Sequence, residues 1–215
     1  KRHAIQEIQV LGGEIEMETL HAQGMSRITR LTETAEIEEL LALFQAVADE
    51  LGWRPGEFLY AIPEHSVHFA GLLDDVIAGG IQLVVQDSEG HLPCQQVWQE
   101  LKFTNDERLG HVTIMALAPE FRGCPGLFWS ICVELWRYCV AQKINAIILE
   151  CTPPMLKLYR RIGWPLRVIG ELRTHWGEDC YLCQMQTVEV AGSLLVKAIR
   201  SQAHRELVCQ AYRVA

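Results

Sequence analysis

The sequence predicts an α/β (α+β) fold: one domain with a mixed central sheet and helices on both faces. Three patterns carry this expectation. Strand His111–Ala118, an amphipathic helix from about Gly126 to Gln142 and the apolar strand Ala146–Cys151 form a βαβ crossover, which makes the two strands parallel. Val67–Leu73 and Val76–Val85 read as a hairpin turning at Asp74-Asp75, hence antiparallel. Helical periodicity flanks these strands, in Ile37, Leu40, Leu41, Phe44, Val47, Ala48 and Leu51 before them and in Ala191–Tyr212 after them.

In chain order, Ser26–Leu31 alternates as a strand, and Thr34 is placed to cap the first helix, with Glu36 to Glu39 in its first turn. Gly52 ends that helix and Pro55-Gly56 turns the chain. Gly79-Gly80 inside the second hairpin strand indicates a bulge or a close backbone approach. Gln95–Asn105 reads as a loop or short helix. The long central helix turns Ile131, Cys132, Leu135, Trp136, Cys139 and Val140 to one face. A short helix starts at Pro153-Pro154 and stops at Gly163, and Asp179–Val190 closes the sheet. The expected order is β-α-β-β-β-α-β-α-β-α, with residues 1–25 as an extension, 26–190 as the domain and 191–215 as a helix packed on it.

Composition narrows the function classes. The formal charge of −8 speaks against nucleic acid as a partner, because phosphate binding needs a basic surface. No apolar run reaches the roughly 18 residues of a membrane span, and Lys1–Leu20 lacks an apolar leader core, so a cytoplasmic chain is expected. The eight cysteines then read as small buried hydrophobes. Cys180 and Cys183, with His175 upstream, have a zinc-like spacing. On a strand, however, positions three apart face opposite sides, so no metal site is expected.

Two segments carry chemistry. Val112-Thr-Ile-Met-Ala-Leu-Ala-Pro-Glu-Phe-Arg-Gly-Cys-Pro-Gly-Leu127 runs a strand through a glycine-containing turn into a helix, an arrangement that presents backbone N–H groups to an anion. It resembles the strand-loop-helix core of the GNAT N-acyltransferases. Thr152-Pro-Pro-Met-Leu-Lys-Leu-Tyr-Arg-Arg-Ile-Gly-Trp164 resembles that family's later helix, with its Leu-Tyr pair and Gly-aromatic end. The resemblance implies the GNAT acyl-CoA N-acyltransferase fold. It also implies transfer from an acyl-phosphopantetheine thioester, on CoA or on acyl carrier protein, with no tightly bound cofactor. Arg122, Gly123, Cys124 and Gly126 would meet the donor's phosphates. A strand bulge, placed by position at Met115, Ala116 and Leu117, would polarise the thioester carbonyl, and Tyr159 would protonate the departing thiolate. The amine's proton would go to His111, with Glu100 and Glu120 as rivals.

The run Arg161-Ile-Gly-Trp-Pro-Leu-Arg-Val-Ile-Gly170 is similar to the corresponding stretch of autoinducer synthases and long-chain N-acyl amino acid synthases. Pro125 stands where the family's CoA loop has a glycine and removes a donor. This departure and the basic run from Lys157 to Arg173 suit an acidic acyl carrier protein, docking on Lys157, Arg160 and Arg161. Trp98, Phe103, Phe121, Phe128 and Trp129 are candidates to line an acyl tunnel. Asp49, Asp74 and Asp75 do not fall into the homoserine-lactone synthase register, so the expected acceptor is an amino acid or similar small amine. The alternatives are an acetyl-CoA-dependent N-acetyltransferase and a non-catalytic ligand-binding protein on the same fold.

Overall fold

The computed structural model of the chain describes residues 26–54, 65–104, 106–122 and 124–200. The expected extension 1–25, the turn at Pro55-Gly56, Gly123 and the end of the last helix lie outside the described residues. Seven strands form one mixed sheet in the order β1-β2-β3-β4-β5-β7-β6. They are β1 (Ser26–Leu31), β2 (Ser66–Leu73), β3 (Val76–Val85), β4 (Leu109–Leu117), β5 (Ala146–Cys151), β6 (Arg167–His175) and β7 (Glu178–Gln186). Four helices accompany them: α1 (Thr34–Leu51), α2 (Pro125–Ala141), α3 (Pro153–Arg161) and α4 (Thr187–Arg200). Short 3₁₀ turns occupy Pro93–Gln96 and Pro119–Phe121.

The pairings follow from chain connectivity. β1 to β4 form an antiparallel meander, and β4 pairs parallel with β5 across the α2 crossover. Both residues of the β2–β3 turn, Asp74 and Asp75, take positive φ, the geometry that matches the right-handed twist of a two-residue hairpin.

Each face of the sheet has its own core. α1 covers Ala70, Leu72, Ile77, Ile114 and Ala116 with Leu40, Phe44, Val47 and Ala48. On the same face, beneath β5, β7 and β6, the fully buried Trp98 fills the space beside Leu109, Ile148 and Leu182. α2, with Leu127, Ile131 and Leu135, covers the opposite face, where Phe69, Ile81, Leu83, Ile147 and Leu149 point. Leu156 of α3 joins that second core.

Three expectations need correction. The first helix begins at Thr34, so Glu33 rather than Thr34 occupies the cap position. Arg167–His175 forms a strand that the sequence reading lacks; its edge position leaves five of its nine residues exposed, two of them Val168 and Leu172, so apolar alternation is lost. The closing strand ends at Gln186, because Thr187 starts α4 with its hydroxyl donating to the Ile144 carbonyl at 2.7 Å.

The glycine pair in β3 marks close backbone approach. A Cβ on Gly80 would lie 2.5 Å from the Phe69 carbonyl oxygen and 2.6 Å from a Leu40 methyl. One of these contacts is backbone, so the sheet itself would have to move. Gly80→Ala is expected to lower the unfolding free energy by about 1–3 kcal/mol, read as a lower urea midpoint. An unchanged midpoint would mean that α1 is not seated on β3 as described.

Candidate active site

The site begins where two strands part. β4 pairs with β5 only from Leu109 to Val112, against Ala146 to Leu149. Beyond that seam β4 stays on β3 up to Leu117, while Glu150 and Cys151 stay on β7. A slot therefore opens between the second half of β4 and the end of β5. The parting coincides with a bulge: Val112 opposes Leu83 and Ile114 opposes Gln82, leaving Thr113 as the extra residue. A bulge bends its strand and leaves backbone groups outside the ladder. It sits at Thr113 rather than at Met115–Leu117, where Met115, Ala116 and Leu117 pair in register with Ile81, Gly80 and Gly79.

On the α2 face the slot meets an apolar cavity of about 60 Å³, lined by Val112, Met115, Leu149, Trp129, Trp136 and Tyr159 among others. Empty apolar volume of this size costs on the order of 1–2 kcal/mol of packing, which a bound hydrocarbon would restore. Tyr159 stacks on Trp164, with ring centroids 4.6 Å apart and planes 23° apart; Phe128 stacks on the same indole and Trp129 meets it edge-on. Burial, with the Cys151 and Cys132 thiols adding to it, pushes the Tyr159 phenol well above its ordinary value. It stays protonated at neutral pH, as a proton donor must. Of the five aromatic residues proposed for a tunnel, Trp129 lines this cavity. Trp98 and Phe103 belong to the opposite face, while Phe121 packs against the α2-side core.

On the other face lies a buried cluster from three strands. His111 of β4 is 1% exposed and its Nε2 is 3.0 and 2.9 Å from the two carboxylate oxygens of Glu150 on β5. His175 at the end of β6 places its Nδ1 3.7 Å from Glu150. A carboxylate only accepts, so in the neutral form of the His111 ring the proton sits on Nε2 and Nδ1 carries a bare lone pair. That Nδ1 has no hydrogen-bond partner. Sequence reasoning missed Glu150, although a lone acid inside the apolar run Ala146-Ile-Ile-Leu-Glu-Cys was the available signal. Glu100, the proposed rival, is half exposed and binds Arg173 at 2.9 Å instead.

The remaining candidates are spread around the slot. Arg122 lies in the turn before α2, but its guanidinium makes a two-pronged ion pair with Glu50 near the end of α1, at 2.8 and 2.6 Å. Cys124 and Gly126 flank the start of α2 at Pro125. Lys157, Arg160 and Arg161 are exposed on α3, the helix that turns Tyr159 inward. Among the described residues neither Lys157 nor Arg161 has an acidic partner within 4 Å, whereas Arg167 and Arg173 of the same basic run pair with Glu189 and Glu100. Cys180 and Cys183 point to opposite faces of β7, into different cores.

This geometry can be set beside known structures. No family model and no curated protein sequence matches the chain, so the likeness is one of structure. An N-acyl amino acid synthase from uncultured soil microbes, FeeM, superposes with a TM-score of 0.68 over 80% of this chain and 95% of its own, at 14% identity. The acyl-homoserine-lactone synthase LasI gives 0.58 over 76% and 89% at 16% identity. A putative N-acetyltransferase from Lactobacillus plantarum gives 0.57 over 76% and 99% at 12% identity. The chain has the GNAT N-acyltransferase fold. Within it the slot, the cavity and the His111–Glu150 pair are features of this chain's own residues.

The buried histidines give the molecule an acid limit. Burial holds His68 below the ordinary 6.5, and His175 likewise, where Glu150 opposes the shift and His111 reinforces it. The native state keeps both rings neutral while the unfolded chain takes up protons below about pH 6.5. Their contribution to stability is thus full above that pH and is lost as pH falls through it. Urea midpoints should be lower at about pH 5.5 than at about pH 7.5; equal midpoints would contradict the burial of these rings.

Proposed function

We propose that the protein is an N-acyltransferase that moves a fatty acyl group from a phosphopantetheine thioester to the amine of an amino acid or similar small molecule. The observation that carries this reading is the slot at Val112 and Leu149 opening on an apolar cavity with a protonated phenol in its wall. A pantetheine arm is a flexible chain with two amides, and the two parted strand edges offer it sheet-like hydrogen bonds. A hydrocarbon tail would leave water for the cavity at about 0.8 kcal/mol per CH₂.

The residues divide the proton traffic between the two faces of the sheet. The amine approaches from the α1 side and loses its proton to the Nδ1 lone pair of His111, whose ring Glu150 orients. Backbone N–H groups freed at the Thr113 bulge stabilise the oxyanion, an effect worth about 3 kcal/mol per donor. The thiolate leaves on the α2 side and takes the Tyr159 proton. His111→Ala should lower kcat about 10²- to 10⁴-fold and Glu150→Gln by a smaller factor, both followed by thiol release with acyl chains of graded length. Full turnover of His111→Ala at saturating amine would remove His111 as the base.

A carrier-borne donor is favoured over free CoA by two features. Glu50 occupies the arginine of the phosphate loop, and Pro125 withholds one amide from it. The exposed cations Lys157, Arg160 and Arg161 lie on the helix that supplies Tyr159, on a chain whose net charge is −8. Reversing Lys157 and Arg161 to Glu should raise KM for the acyl carrier thioester about tenfold or more, less so at high salt, while KM for acyl-pantetheine stays within about twofold. Equal effects on both donors would remove the carrier from the proposal.

A further inference from the structure

A row of unpaired polar atoms crosses the α1 face of the sheet at the level of the slot. Seven buried side-chain nitrogen or oxygen atoms lack a hydrogen-bond partner among the described residues. Five of them lie along this line: His68 Nε2, Gln82 Oε1, His111 Nδ1 and Trp176 Nε1 on the α1 face, and Thr113 Oγ1 at the bulge of β4 between His111 and Ile114. The register ties them together. His68 on β2 opposes Gln82 on β3, and Gln82 opposes Ile114 beside the Thr113 bulge on β4. His111 follows two residues earlier on the same face, bound to Glu150 across the seam. Trp176 comes from elsewhere. β7 pairs with β5 only as far as Cys151, so the β6–β7 hairpin extends past the end of β5. Its tip bends over the α1 face, with Trp176 packed on the core of Ile114 and Ala116 and its carbonyl accepting from the Arg54 amide at 3.0 Å.

Leaving one buried polar group unpaired costs about 1–3 kcal/mol, so five in a row mark a place built for something polar. Trp176 and Gly177 both take positive φ, the two-residue turn geometry already met at Asp74-Asp75, and this turn fixes the Trp176 indole at the hairpin tip. The groups also have a pattern. An indole N–H can only donate and a threonine hydroxyl can donate, whereas the His111 lone pair and the Gln82 carbonyl oxygen accept.

We propose that this row is the acceptor subsite and that it recognises the zwitterion of an α-amino acid. The carboxylate accepts from Trp176 Nε1–H and the Thr113 hydroxyl, and the ammonium group donates to Gln82 Oε1 and His111 Nδ1. The proposal rests on the transferase reading above and names its acceptor class. It places the amine nitrogen at the base and at the slot in one step, because Thr113 is both a carboxylate donor and the residue of the bulge.

The test uses the full chain, the standard amino acids and their decarboxylated amines. Trp176→Phe keeps an aromatic ring but removes the N–H together with the five-membered part of the indole; Thr113→Val keeps the branched shape and replaces only the hydroxyl, so it is the cleaner of the two. Each should raise KM for the preferred amino acid about tenfold or more, with KM for its decarboxylated amine altered less than about threefold and KM for the thioester unchanged. Calorimetry on the donor-free protein should show amino acid binding that both variants weaken by a similar factor. Equal shifts for amino acid and amine, or a wild-type protein that binds no amino acid and does not distinguish the two, would overturn the proposal and assign the row to bound water. Amino acid binding with these variant effects, but no acyl transfer to any amine, would sustain the subsite and sink the transferase reading instead.

Discussion

The parting of β4 from β5 after Val112 and Leu149 is the constraint on which the rest of the site depends. Neighbouring parallel strands normally zip until one of them ends, since every unmade ladder bond leaves a buried donor or acceptor. Here β4 runs five residues past its last pairing with β5. The extra residue at Thr113 turns β4 toward β3, and β7 holds β5 on its far side. Two firmly held strands that diverge leave an opening with polar edges and apolar walls. Anything that closed the bulge would close the opening.

The sheet also acts as a partition. The α2 side of the opening is hydrocarbon and aromatic, with Tyr159 and Trp164 stacked in its wall. The α1 side carries the buried side chains of His68, Gln82 and His111, with Glu150 bound to His111, set into an otherwise apolar core. The transfer proposed above, joining an oily acyl chain to a polar amine, needs both environments within a bond length of each other. A sheet one strand-thickness deep, opened at a single place, provides that contact without mixing them. Burial on both sides keeps Tyr159 protonated, as a proton donor must be, and His175 neutral.

Much of this was legible in the chain. The βαβ unit, the hairpin at Asp74-Asp75 and both helical segments follow from periodicity and turn chemistry that act over a few residues. His111 and Tyr159 could be singled out because they sit in patterned segments. What escaped was set by partners distant in sequence. β6 has no apolar alternation because only β7 flanks it, so nothing local marked it as a strand. Missing that strand hid the hairpin tip, and with it Trp176 and the placement of His175. Glu150 looked like a residue of a buried strand until the register of β4 and β5 brought it against His111. The bulge was expected in the correct strand but two to four residues too late, since its position is set by the register of β4 against Gln82 and Leu83 of β3.

The hairpin tip also matters mechanically. The four residue pairs between β4 and β5 are a short hinge line joining two leaves of the sheet, β1 to β4 on one side and β5, β7 and β6 on the other. Across the open end, the tilted contact of Trp176 with Trp53, 6.2 Å between centroids, and the Arg54–Trp176 hydrogen bond act as a clasp from the far leaf to the end of α1. The gape between the leaves is therefore governed from both ends, by a seam in the middle of the sheet and by a latch at its rim.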